Sequence, residues 1–379
     1  MVRFVWLALP LLILAAIVAY VLGARPLDRI GAAAPPVEQV VVEGTRLRPG
    51  MIELDIRADG SQPVAIAQVQ VDGAYRAFDL TPAGPVGRLD GARVSVPYPW
   101  VEGEAHHIVL VTSTGATFEH TVEVAQATPG LDAGSLWRLA VVGLLLGVAP
   151  VATGMLAFPA MRGLSAGTFD FLLALTVGLL AYLFLDTLGE GLEAGSAALE
   201  RLRGQTAVWV AAALTALGLF VAGRWRGGAP QGAALAGFIA LGIGLHNLGE
   251  GLAVGGALSA GAGALATFLV VGFIIHNVTE GIGIAAPLVR AKPPLSLFVL
   301  LAGLAGLPAV AGVWAGTQAP GPYWLALCFG VGAGAIFQVM VEVTALTVRK
   351  GGFAALGGLN YAGGVAAGLL VMYATALLV

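Results

Sequence analysis

Seven ionisable side chains fall inside otherwise apolar stretches: Asp186, Glu190, His246, Glu250, His276, Glu280 and Glu342. Such a group at the centre of a hydrocarbon layer costs about 3 kcal/mol or more unless it is paired, hydrated or bound to an ion. Six of them fall in three segments that share one form. These are Leu185-Asp186-Thr187-Leu188-Gly189-Glu190-Gly191, Leu245-His246-Asn247-Leu248-Gly249-Glu250-Gly251 and Ile275-His276-Asn277-Val278-Thr279-Glu280-Gly281. The form is an apolar residue, Asp or His, Thr or Asn, two spacers, Glu, Gly. On a helix, residues i and i+4 share a face, so His246 points with Glu250 and His276 with Glu280. The Asn at i+1 sits about 100° around the helix. Two imidazoles, two carboxylates and two amide oxygens suit a borderline divalent cation such as zinc or ferrous iron, and manganese also fits once the Asn oxygens and water are counted. A purely oxygen-loving ion would not need the histidines. One buried His–Glu pair could be a helix-packing contact; two near-identical copies argue against that reading.

The elements that must hold these residues are membrane spans. Of the 379 residues, 58% are apolar and 11% charged, and the mean hydropathy is +0.88, whereas soluble domains carry about 25% charge. From Leu136 onward, apolar runs long enough to cross a bilayer recur. The spans are drawn at 136–160, 167–189, 206–223, 232–257, 262–289, 294–316, 323–348 and 355–378. Loops after the odd spans carry Arg162, then Arg224 and Arg226, then Arg290 and Lys292, then Arg349 and Lys350. Loops 258–261 and 317–322 carry no charge, and the loop after the second span mixes Arg201 and Arg203 with Glu193 and Glu200. The positive-inside rule therefore puts the odd loops in the cytoplasm and both ends of the bundle outside.

Ahead of the bundle, Phe4–Ala24 is an unbroken apolar run behind Arg3. Its length favours an uncleaved signal anchor over a cleaved signal peptide. Residues 26–132 then form an extracytoplasmic domain of the small all-β sandwich type. Its strand-like segments include Met51–Ile56, Val64–Val71 and His107–Thr112, separated by turn pairs at Asp59-Gly60, Asp72-Gly73, Asp90-Gly91 and Thr114-Gly115. The fold class expected is thus a membrane all-α bundle over 133–379, preceded by the anchor and the β domain. Glu104, His106, His107, Glu119 and His120 are the other His and acid set. Adjacent His106 and His107 on a strand point to opposite faces, so a polar sheet surface is the better reading there than metal capture.

The motif residues resemble those of the ZIP family of divalent metal transporters, over about residues 136–379. That family has a His-Asn-x-x-Asp/Glu-Gly motif in its fourth core span and a related motif in its fifth, here His246–Gly251 and His276–Gly281. Gly332–Glu342 is similar to its seventh span, and eight spans with both ends outside also match. The resemblance implies a binuclear site with His246, Glu250, His276 and Glu280 as main ligands and Asn247 and Asn277 completing the second position. It further implies import by an elevator-like movement of one helix group against the other. Gly249 and Thr279 stand where many members have Pro, and Ala302–Leu307 lacks the acid that bacterial members often carry in the sixth span. A single-metal site is compatible with that departure. Asp186 and Glu190 are assigned to an entrance vestibule at the outer end of the second span. Gln338 and Glu342 are assigned to the transport path on the inner half of the seventh.

The function expected is divalent transition-metal transport across the cytoplasmic membrane, zinc first, iron or manganese as alternatives. No catalytic residue and no prosthetic group is assigned; the metal is the substrate. Net charge is −3, so no nucleic-acid footprint is indicated. The lipid bilayer is the other partner, and a homodimer is compatible with the sequence. Cys328 is the single cysteine and can form no intrachain disulfide. Two other functions compete. One is a membrane metal sensor that binds without passing the ion. The other is an intramembrane hydrolase, against which stands the absence of a His-Glu-x-x-His motif.

Overall fold

The computed structural model describes residues 2–24, 37–199, 202–225, 230–318 and 321–377. The loop charges Glu200, Arg201 and Arg226 lie outside the described residues, as do residues 25–36. The N-terminal apolar run is one helix, α1 (Val2–Ala24).

The β region holds eight strands: β1 (Val40–Arg48), β2 (Met51–Ala58), β3 (Ile66–Val71), β4 (Ala74–Arg76), β5 (Asp79–Thr81), β6 (Gly91–Pro97), β7 (His106–Thr112) and β8 (Thr117–Val122). They pair antiparallel in two four-stranded sheets, ordered β1-β2-β6-β5 and β4-β3-β7-β8. Period-2 alternation drives this pairing. Ile52, Leu54 and Ile56 from β2 and Val94 and Val96 from β6 are buried with Val69 and Val71 from β3 and Ile108 and Leu110 from β7. The outward residues of β2 are charged instead, and Asp55 is held by Arg46 at 2.7 Å and Arg93 at 2.8 Å.

Among the described residues after α1, eight helices are long and apolar enough to cross a membrane. The first is broken into α2 (Ala133–Gly143), a π turn at Leu144–Val148, α3 (Ala149–Met155) and α4 (Phe158–Met161). Then follow α5 (Ala166–Ala197), α6 (Gly204–Arg224), α7 (Gly232–Ser259), α8 (Gly263–Ala285), α9 (Leu295–Gly316), α10 (Pro322–Gly351) and α11 (Leu359–Ala376). Two boundaries differ from the sequence expectation. The first span is not one helix, because Pro150 has no N–H to donate into the preceding turn and the ladder slips to π spacing. The second span runs eight residues past 189, to Ala197. At 32 residues it is about 48 Å long, so its last turns extend beyond a hydrocarbon core of about 30 Å. Asp186 and Glu190 therefore sit two to three turns inside the helix.

The helices pack in two groups. α5, α6, α10 and α11 pack on one another, as do the broken first span, α7, α8 and α9, and α7 against α10 is the main packing between the groups. Small residues set these distances. A side chain on Gly251 would overlap the Ala309 carbonyl of α9, and one on Gly281 would overlap the Val151 carbonyl of α3. The Gly that closes each motif thus seats its helix on α9 or α3, within one group.

The β region rests on the end of the bundle that carries the uncharged loops. Thr128 Oγ1 accepts from the Leu47 amide at 2.9 Å and donates to the Ser259 carbonyl at 2.8 Å, joining β1 to the end of α7. Arg46 donates to the Gln318 carbonyl at 3.3 Å. Gly261, at φ +76°, lets the α7–α8 loop pass directly beneath Val124 and Gln126.

Candidate metal centre

A loop of three residues, Ala260–Ala262, turns α7 into α8, so the two motifs face each other on antiparallel neighbours. Both helices run unbroken through their motifs. With Gly249 and Thr279 in place of proline, every backbone N–H in the segment can join the ladder.

His246 and His276 lie with ring centroids 6.2 Å apart. Both present Nε2 to the same oxygen: Glu250 Oε1 is 3.1 Å from His246 and 2.6 Å from His276. Asn277 Nδ2 donates to Glu250 Oε2 at 3.1 Å. Glu250 is therefore fully bonded although it has no exposed surface. Glu280, from the other side, has neither oxygen in a hydrogen bond. His246, His276 and Glu280 each offer a ligand atom, all within 4.8 Å of one another.

The two asparagines complete the donor set. Asn247 donates to the Ala305 carbonyl of α9 at 3.0 Å. Asn277 donates to Leu146 O, in the π turn of the first span, at 3.0 Å; π spacing frees carbonyls from the ordinary ladder. Each anchor fixes the amide nitrogen and turns the oxygen the other way, and both Oδ1 atoms are buried without a hydrogen bond. With the two Glu280 oxygens this makes four buried acceptors with no donor. An unmade hydrogen bond of this kind costs about 1–3 kcal/mol per group, and surplus acceptors beside two imidazoles are what a cation satisfies. The set of N and O donors fits zinc or iron.

A cavity of about 160 Å³ reaches His276, lined among others by Tyr182, Asp186 and Glu190 of α5, Phe273 of α8 and Met372 of α11. Asp186, Glu190 and Phe273 lie toward the β-region ends of their helices, while Met372 also lines the second void. On the opposite side of Glu280 there is a void of about 10 Å³ enclosed by Leu179, Leu180, Leu183, Ile239, Ile243 and neighbours. That is at the limit for one water.

The sequence-assigned residues thus fall into three places. His246, Asn247, Glu250, His276, Asn277 and Glu280 come together at the centre. Asp186 and Glu190 line the cavity that leads to it. Glu342 does not join them; its carboxylate lies 2.6 Å from Arg224 Nη1 of α6. Gln338, one turn away, is buried with neither amide atom bonded. In the β region the histidines do not converge on one site. His106 is buried and bonded to Asp72 at 2.8 Å, His107 faces Glu119 at 3.4 Å, and His120 is 2.8 Å from Thr45 Oγ1.

One residue at the centre carried a signal that went unused. Thr187 occupies the position in the first segment that Asn247 and Asn277 hold in the others, and its Oγ1 lies 2.9 Å from His246 Nδ1. The Arg224–Glu342 pair joins α6 to α10, and no sequence spacing links those two positions. Set beside known proteins, the sequence matches no family model and no curated protein.

Proposed function

We propose that the chain is a divalent transition-metal transporter of the ZIP type, with Zn²⁺ the first candidate substrate and Fe²⁺ or Mn²⁺ the alternatives. One observation carries this reading: two imidazoles and a buried carboxylate offer ligand atoms within 4.8 Å of one another midway along membrane-length helices. In this reading the metal enters past Asp186 and Glu190, and the β region faces the extracytoplasmic side. His246, His276 and Glu280 hold the ion. Glu250 accepts hydrogen bonds from both imidazoles when they are protonated, so metal entry displaces protons from the rings. The apolar seal beneath Glu280 keeps the far side closed, and release requires the group holding α7 and α8 to shift against the group holding α5 and α10. The division of the helices into two packed groups supports such an elevator-like movement.

The test is flux into liposomes of Zn²⁺, Fe²⁺, Mn²⁺ and Cd²⁺, comparing wild type with a His246→Ala/His276→Ala double variant. Saturable uptake that the variant loses is the expected result; equal uptake would remove the basis of the reading. A sensor that binds without passing the ion is the second reading. The Thr128 hydroxyl that ties the β region to α7 favours it, and tight binding without flux would make it the better account.

A further inference from the structure

The six residues assigned as metal ligands all come from α7 and α8, yet one side chain from the other helix group reaches the centre. Thr187 of α5 has no exposed surface, and its hydroxyl lies 2.9 Å from His246 Nδ1. The other ring nitrogen, Nε2, faces Glu250 and is one of the grouped ligand atoms. An imidazole ligates through its unprotonated nitrogen, and the hydrogen bond at the other nitrogen decides which one that is. If the Thr187 hydroxyl accepts from Nδ1–H, the proton Nε2 shares with Glu250 is the one that metal entry displaces, and the neutral ring then directs its Nε2 lone pair at the centre. If His246 carried its proton on Nε2 instead, that nitrogen could not bind a metal.

We propose that Thr187 is a positioning residue for metal binding: its hydroxyl accepts the Nδ1 proton of His246, fixing the ring's tautomer and its angle so that Nε2 serves as the ligand. This rests on the metal-centre reading and adds to it a contact from outside the ligand-bearing helices. A bond of this kind behind a ligating histidine is worth about 10–100-fold in metal affinity. Because α5 packs in the other helix group, the bond also makes affinity sensitive to the register between the groups.

The experiment compares full-length wild type, Thr187→Val and Thr187→Ser in detergent. Zn²⁺ affinity is read by competition with a chromophoric chelator, and the site's geometry by the absorption spectrum of bound Co²⁺. Valine keeps the shape and removes the hydroxyl; serine keeps the hydroxyl. Thr187→Val should bind Zn²⁺ about 10–100-fold more weakly with an altered Co²⁺ spectrum, while Thr187→Ser keeps both wild-type readouts. In liposomes, Thr187→Val should raise the half-saturating Zn²⁺ concentration by the same factor, and Thr187→Ser should not. Thr187→Ala makes the same comparison if the valine variant does not fold. Wild-type affinity in Thr187→Val would overturn the proposal and leave the metal centre standing. Equal weakening in Thr187→Ser would also overturn it, since packing and not the hydroxyl would then matter. Failure of the wild type itself to bind Zn²⁺ would remove the metal-centre reading and this inference with it.

Discussion

Two buried carboxylates in this bundle have opposite surroundings. Glu342, on α10, has a side chain only 1% exposed and carries a cation of its own, Arg224, at 2.6 Å. Glu280, on α8, lies beside the His246 and His276 rings with no Arg or Lys partner among the described residues, although neither carboxylate makes a well-formed hydrogen bond. A charge kept out of water must be compensated. Glu342 is compensated within the chain, by a residue that cannot leave. Glu280 has no such cation beside it among the described residues, and in the proposed reading the metal supplies it. The first arrangement joins α6 to α10; the second is the one the proposed function depends on. Glu342 is thus paired with Arg224, and the variants below test whether it also lies on the transport path.

Disturbing the two carboxylates should have different consequences. Glu280→Gln should abolish saturable Zn²⁺ flux and leave the folded bundle intact, checked by size-exclusion chromatography and uptake on the same preparation. Flux persisting in that variant would erase the distinction. Arg224→Met should instead cost stability, because Glu342 stays buried without its cation. The loss expected is about 2 kcal/mol, below the usual 3–5 for a fully buried pair since Arg224 is 44% exposed. The thermal midpoint should fall in Arg224→Met and recover in Arg224→Met/Glu342→Leu, with flux in the double variant near wild type. A flux defect that survives in the double variant would return Glu342 to the path. A smaller effect is expected at the vestibule. Asp186→Asn/Glu190→Gln should raise the half-saturating metal concentration several-fold at low salt and less at high salt, because these acids act through a screened field on the approaching cation.

The smallest effect lies in the β region. Burial pushes the His120 imidazole below its ordinary value of 6.5, so the folded domain holds it neutral. Stability from that neutral ring is present above about pH 6.5 and is lost as pH falls, because the unfolded chain takes up the proton first. Protease resistance of β1 and β8 in the full-length protein should decline on acidification below about pH 6.5, and His120→Gln should flatten that decline. An unchanged decline in His120→Gln would assign it to other groups.

Much of the fold was legible because its signals are long or repeated. Each span is a run of apolar residues with basic residues at alternate ends, and the strands alternate with period 2 between turn pairs. The centre was legible because two copies of one short pattern can only meet if their helices are neighbours. What escaped depends on pairs with no shared spacing. Nothing in the chain links Arg224 to Glu342, 118 positions apart. The π turn in the first span depends on Pro150 within a packed segment, and its purpose, offering Leu146 O to Asn277, is visible only in three dimensions. Thr187 was the intermediate case: its position in the repeated pattern is in the sequence, but its contact with His246 depends on how the two helix groups meet across α10.

The central claim is that the two histidines and Glu280 hold one transported ion. Zinc K-edge X-ray absorption on the purified, Zn²⁺-loaded protein tests it most directly. Two imidazole nitrogens with the remaining ligands oxygen are predicted, and His276→Ala should lose one imidazole from the shell together with most of the bound zinc. A wild-type shell without imidazole, or a spectrum unchanged in His276→Ala, would contradict the account.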